Sequence, residues 1–166
     1  MDIRHATDDD LDGILAIYNA AIVETTAIWT DEVVDRSNRE QWLADQLAVG
    51  HPVLVATDSD GAVMGYASFA QWRAKYGYRY SVEDSIYVGS AYRGRGVARA
   101  LMVELIARAK AAGMHLMVAD IETGNIVSIR LHESLGFETS GVVRELGTKF
   151  DRWLDLTIMT LRLDLP

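Results

Sequence analysis

Cysteine is absent from all 166 residues. Disulfides, thiolate metal centres and thiol-bound covalent intermediates are therefore excluded. Basic charge is also scarce: 16 Lys and Arg stand against 24 Asp and Glu, a formal net charge of −8. Phosphate-rich partners select basic faces, so a nucleic-acid or membrane-surface role is not expected. No apolar stretch is long enough to cross a bilayer, and the N-terminal MDIRHATDDDLDG is polar with no apolar run behind it, so the expected location is cytoplasmic. Linkers, repeats and low-complexity tracts are missing too. The length then points to a single domain over residues 1–166 with a core that needs no staples.

What is present alternates between two periods. DIRHAT reads as a short first strand, and the acidic residues Asp8, Asp9 and Asp10 open a helix bearing Leu11, Ile14, Leu15, Tyr18 and Ile22. Ser37 with Glu40 three residues on predicts a capping box at the start of a second helix, which stops at Gly50 and Pro52. VLVAT and VMGYASFAQW, joined by DSDGA, predict an antiparallel hairpin. YRYSVEDSIYV follows as a longer strand, with Val82, Ile86 and Val88 on one face and Ser81, Glu83, Ser85 and Tyr87 on the other. A helix through Val97, Leu101, Met102 and Leu105 ends at Gly113. HLMVADI is a buried strand, Asn125 opens a short helix closed by Gly136, and two last strands meet at Phe150 and Asp151. The class is mixed α and β around one sheet.

Residues 87–101 read YVGSAYRGRGVARAL. A strand-to-helix corner needs one glycine at most, so the second glycine and the three arginines ask for another reason. First-turn N–H groups of a helix lack internal partners and carry the positive end of its dipole, so a glycine-built corner can cradle a pyrophosphate. Gly94 and Gly96 let a ligand approach the backbone, and Arg93, Arg95 and Arg99 supply charged donors where they point towards it. The alternative is a solvated basic turn. Neither a P-loop nor a dinucleotide fingerprint is present.

Arg93-Gly94-Arg95-Gly96-Val97-Ala98 resembles the R-x-x-G-x-G/A pyrophosphate loop of the GNAT acetyltransferase superfamily. TTAIW, FAQWRAKYGYRYSVEDSIYV, NIVSIRLHESLGF and GTKFDRWLDL are similar, in that order, to its phosphinothricin and methionine sulfoximine N-acetyltransferase branch. The resemblance implies an α/β (α+β) fold whose central mixed, mostly antiparallel sheet is splayed in a V and flanked by helices. It further implies acetyl-CoA as co-substrate, with its thioester arm in the gap, a homodimer, and no metal.

Acetyl transfer to an amine needs a deprotonated nitrogen, a place for the oxyanion and a proton for the thiolate. Strand alternation and the resemblance both single out Glu83 as the base, with Asp84 on the opposite face. The resemblance implies that the main chain of Ile86, Tyr87 and Val88 holds the pantetheine, the Val88 N–H facing the thioester oxygen, and that Asn125 and Ser128 contact CoA. Asn125 is equally explained as a helix N-cap. His132 stands where many GNAT enzymes carry a tyrosine acid, and no acid is assigned. Arg73 and Lys75 suit an acceptor carboxylate, while Trp29 and Tyr78 suit the wall of an apolar pocket. Lys149, Trp153 and Asp155 match the branch's last hairpin, read as support for that wall.

The implied activity is N-acetylation of a small amino acid such as phosphinothricin, methionine sulfoximine or methionine sulfone, by direct transfer in a ternary complex since no cysteine exists to carry the acetyl group. Two alternatives stay open: another amine acceptor (a polyamine, an aminoglycoside or a protein terminus), and a CoA-binding regulatory module without catalysis.

Overall fold

A computed structural model of the chain describes residues 1–163. Seven strands form one sheet in the order β1-β2-β3-β4-β5-β7-β6. They are β1 (Asp2–His5), β2 (Val53–Thr57), β3 (Val63–Gln71), β4 (Ser81–Val88), β5 (Leu116–Glu122), β6 (Glu138–Lys149) and β7 (Arg152–Arg162). Helices α1 (Leu11–Glu24) and α2 (Arg36–Ala48) precede β2, α3 (Val97–Ala111) joins β4 to β5, and α4 (Ile126–Glu133) joins β5 to β6. The β4–β5 pair, with its helical crossover, is parallel; every other pair is antiparallel.

Both faces of the sheet are covered, which is why VLVAT is a continuous buried run instead of an alternating one. Val53, Val55 and Tyr66 pack with Leu11, Ile14 and Leu43 of α1 and α2. Leu54, Phe69, Met117 and Met159 pack with Leu101, Met102 and Leu105 of α3 on the other face. The predicted β2–β3 hairpin forms, and Phe150 and Asp151 turn the β6–β7 hairpin with φ of 52° and 55°, the left-handed pair that matches strand twist.

Two boundaries differ from the sequence expectation. The second helix starts at Arg36, because the Asp35 carboxylate accepts the Asn38 N–H at 2.9 Å and takes the N-cap from Ser37, whose hydroxyl donates to Asp35 instead. Glu40 pairs with Arg36 rather than closing a capping box. The strand expected from residue 78 starts at Ser81; Tyr76–Tyr78 form a 3₁₀ turn, short-range bonds that take the backbone out of the ladder.

The corner between β1 and α1 is closed by a bidentate Arg4–Asp10 pair with N–O distances of 2.7 and 2.8 Å. Burial alone would raise the Asp10 pKa, but the hydrogen bonds from Arg4 and Thr7 outweigh it and the carboxyl ends below its ordinary range. Asp10 therefore stabilises the fold above its unfolded pKa, and the contribution disappears as pH falls through the folded one. Asp10→Asn is expected to cost about 2 kcal/mol at neutral pH. Urea unfolding at several pH values checks this: the gap to the parent chain should close in acid.

Candidate active site

The site begins where sheet pairing stops. β4 and β5 are in register only from Ser81↔Leu116 to Glu83↔Val118. Beyond that point β4 stays bonded to β3 as far as Gly65↔Val88, and β5 stays bonded to β7 as far as Glu122↔Leu156. The sheet thus parts into two wings after Glu83, with residues 84–88 and 119–122 facing one another across a gap. The Gly89 N–H donates to the Met64 carbonyl at 2.9 Å. Alternation along β4 then turns the N–H groups of Ile86 and Val88 into the gap and that of Tyr87 towards β3.

A groove of about 910 Å³ runs from this gap to the N-terminus of α3. Ile86, Tyr87, Val88, Arg93, Gly94, Gly96, Val97, Ala98, Asn125 and Ser128 all line it, and so does Arg99. Arg95 is outside the lining, its guanidinium 5.7 Å from the centre of the Tyr92 ring. Two of the three arginines at the corner therefore face the groove. Gly94 and Gly96 have φ of 74° and 79°, and a Cβ on either would meet nothing within 4 Å. The corner is thus left-handed and open on its outer side. The unpaired N–H groups of the first α3 turn lie beside it, a donor set that fits a pyrophosphate. Asn125 serves as the α4 N-cap, its Oδ1 accepting the Ser128 N–H at 3.2 Å, while also bordering the groove. The lining also includes Ile17, Ala20 and Ala21 of α1, which no sequence motif marks, and Phe150 and Arg152, which lie within GTKFDRWLDL but are not singled out by it as groove residues.

Glu83, Trp29, Arg73, Lys75 and Tyr78 are not part of this lining. Glu83 sits at the apex of the splay on the face shared with Ser85 and Tyr87, half-buried. Burial first, then the charges of Asp120 and Asp84, push its carboxyl up to about 7, against a downward pull from Arg73. The Arg73 guanidinium lies 4.9 Å from the Trp72 ring, and Trp72 meets Tyr78 edge to face at 5.6 Å. This brings Arg73 and Tyr78 to the Glu83 end of β3. Lys75 is exposed, and its carbonyl caps the Tyr76–Tyr78 turn by accepting from the Tyr78 N–H at 2.9 Å.

Trp29 is fixed twice. Its indole N–H donates to the Thr26 carbonyl at 2.9 Å, and its ring covers Gly147 of β6 so closely that a Cβ there would overlap it. Lys149, nearly fully buried, donates to the carbonyls of Ile22 and Ile28, both at 2.5 Å, and joins the hairpin to the end of α1. Asp155 accepts the Glu145 N–H at 2.8 Å where β6 bulges. Trp153 is exposed.

His132 is only 1% exposed. Its Nε2 is 3.1 Å from Asp84 Oδ1 and its Nδ1 is 2.8 Å from the Ser128 carbonyl. A carbonyl oxygen can only accept, so Nδ1 carries a proton. Burial lowers the imidazole pKa, but Asp84 and the Ser128 carbonyl raise it further, leaving it above its ordinary value. The ring is thereby held between the Asp84 carboxyl, on the far face of β4, and the Ser128 carbonyl. The alternation of Glu83 and Asp84 is as expected: the β3–β4 register runs without a bulge through both.

Residues 14–137 match the sequence profile described as "Acetyltransferase (GNAT) family". The chain belongs to the GNAT family. As such the acetyltransferase takes its acyl group from acetyl-CoA. It is 52% identical over 162 residues, 98% of this chain and 94% of the relative, to the L-methionine sulfoximine/L-methionine sulfone acetyltransferase of Pseudomonas aeruginosa. Its structure superposes at a TM-score of 0.97 on that of yncA, an acetyltransferase from Salmonella typhimurium with its cofactor acetyl-CoA. That protein is 48% identical, and the match covers 100% of this chain and 95% of the other. A TM-score of 0.96, also at 48% identity, relates it to a ribosomal-protein-alanine N-acetyltransferase from Brucella melitensis, with 98% and 99% covered.

The open, left-handed glycine corner gives a direct test. Gly96→Ala adds backbone strain and a methyl group in the space a pyrophosphate would use. The expected result is a rise of about tenfold in the Km for acetyl-CoA, read by steady-state thiol release, with the acceptor Km little changed.

Proposed function

We propose that the acetyltransferase, acting as one catalytic domain over residues 1–166, N-acetylates the α-amino group of small amino acids whose side chain ends in a tetrahedral or oxidised centre. Methionine sulfoximine, methionine sulfone and phosphinothricin are the acceptors of this type. The observation that carries the reading is the Glu83 carboxyl, held near pKa 7 at the apex of the splay, where a carboxylate can take a proton from an ammonium group at working pH.

In this scheme the groove holds acetyl-CoA from the α3 corner, and the thioester reaches the apex between the wings. Glu83 accepts one proton from the acceptor's ammonium, and the electron pair of that N–H bond stays on nitrogen. The freed amine bonds to the thioester carbonyl carbon while the Val88 N–H faces the developing oxyanion. The C–S bond then breaks to release CoA thiolate, nitrogen gives up its second proton to solvent as the amide forms, and solvent returns one proton to the thiolate. His132 has no part in that proton transfer, being enclosed with Asp84. Arg73 takes the acceptor carboxylate, with Lys75 beside it, and Trp29 and Tyr78 form the apolar wall.

Val142, Val143, Leu146 and Trp153 are exposed on the edge hairpin, an apolar surface that supports a homodimer. A cytoplasmic site of action and the detoxification of such amino acids belong to the same proposal. The likeness to an enzyme named for ribosomal-protein alanine favours one rival, a protein terminus as acceptor.

Thiol release from acetyl-CoA, measured with methionine sulfoximine, phosphinothricin, spermidine and an alanyl peptide, decides between them. Turnover confined to the first two is expected; turnover with the peptide alone would overturn the acceptor assignment. Glu83→Gln should lower kcat/Km by about a hundredfold to ten-thousandfold while calorimetric acetyl-CoA binding survives. For the parent enzyme kcat/Km should rise with pH and inflect near 7 as Glu83 ionises. Gly147→Ala, by displacing Trp29, should raise the acceptor Km by about tenfold and leave that for acetyl-CoA unchanged.

A further inference from the structure

The mouth of the splay holds a second carboxylate that the transfer scheme does not use. Asp120 lies on β5, two residues past Val118, which is the register partner of Glu83. Adjacent partners share a face and strand alternation has a period of two, so Asp120 and Glu83 project to the same side of the sheet from opposite wings of the gap. Asp120 Oδ1 is buried and has no hydrogen-bond partner, and the neighbouring Trp72 Nε1 is buried and equally unpartnered. The Trp72 N–H is near enough to draw the Asp120 pKa down, yet the contact falls short of hydrogen-bond geometry. A buried carboxylate oxygen with no donor is costly to a fold.

We propose that Asp120 is a positioning residue for the transfer: acting through Glu83, its carboxylate orients the acceptor's ammonium at the mouth of the splay for proton transfer to Glu83. This rests on the proposed function. The ammonium supplies the donor that Oδ1 lacks. One N–H bond points at Asp120 and stays intact, and another breaks towards Glu83, whose carboxylate gains the proton while nitrogen keeps the electron pair. The charge of Asp120 also works on Glu83 directly. It is the foremost of the charges that raise Glu83, and Asp120 is itself raised, by burial first and by Asp84. Like charges brought together resist joint ionisation, so the Asp120 carboxylate helps Glu83 retain its proton affinity up to neutral pH.

The other groups around Glu83 are accounted for. Asp84 adds to the rise from the far face, where it is paired with His132, and Arg73 from the end of β3 opposes it. Tyr87 shares the Glu83 face, with Tyr18 of α1 edge-on to it and Tyr66 of β3 tilted against it. Arg39 of α2 lies over the Tyr18 ring at 4.1 Å. None of these sits across the gap, so Asp120 is the group whose removal isolates the effect.

The experiment compares the pH profile of kcat/Km for methionine sulfoximine in the parent enzyme and Asp120→Asn. The expected result is a downward move of the inflection by about one pH unit, with an acceptor Km raised about tenfold and acetyl-CoA binding unchanged. A purely structural Asp120 would alter thermal stability but leave the inflection in place, and that outcome overturns the proposal. Asp120→Ser is the second variant should the amide fail to fold. Carbon-13 NMR titration of Glu83 in the enzyme without acceptor keeps the inference separate from the assigned substrate. Silence with every amino-acid acceptor would sink the functional reading, yet an unmoved Glu83 titration in Asp120→Asn would sink this one alone.

Discussion

Everything at this site depends on a hydrogen-bond ladder that stops early. β4 and β5 share three register partners and then separate, leaving main-chain donors of Ile86 and Val88 without a strand to bond. Unpaired backbone groups in a protein interior are costly, so a sheet parts in this way only when something else holds the wings. Here β3 and β7 keep each wing paired on its outer side, and the His132–Asp84 pair binds α4 to the separated part of β4. The gap is therefore built into the topology, and an extended ligand arm can take the place of the missing ladder.

The same interruption sorts the chemistry by face. Odd-numbered positions of β4 bring Glu83 towards Trp72 and Arg73, while even positions bring Asp84 to the enclosed His132 ring. Two adjacent acids thus acquire opposite roles from one strand period. Glu83 has partial burial and nearby negative charge, so it keeps its proton to about 7. Asp84 is enclosed with His132 on the opposite face, its Oδ1 3.1 Å from the imidazole Nε2.

Much of this could be read from the residues. The glycines and arginines of the corner, the alternation through SVEDSIYV and the cap at Asn125 are local patterns, and local patterns carry into three dimensions when nothing overrides them. The choice between Ser37 and Asp35 as N-cap was less legible, since both are good caps and the fold selects between them through contacts to Arg36. Arg95 carries the same side chain as Arg93 and Arg99; it sits in the turn between the positive-φ residues Gly94 and Gly96 and lies beside the Tyr92 ring. Phe150, Arg152 and the small residues of α1 reach the groove through packing between distant segments. Asp120 was hidden for the same reason: within HLMVADI it is one acid in a buried strand, and its meaning comes from the residue across the gap.

Lys149 and Gly147 show how the proposed acceptor wall at Trp29 is held. The loop bearing Trp29 is tied by side-chain bonds from Asn19 to Val34 and from Thr26 to Glu122, and β6 adds an ammonium that gathers two carbonyls and a residue with no side chain on which the indole rests. The loop carries the contact surface, while the hairpin more than a hundred residues later sets its position. Inherited or engineered changes in acceptor preference can then arise in two ways. Loop substitutions would recut the pocket, and hairpin substitutions would slide an unaltered pocket against a fixed nucleophile path, so divergence in β6 can change selectivity while every residue touching the substrate stays the same.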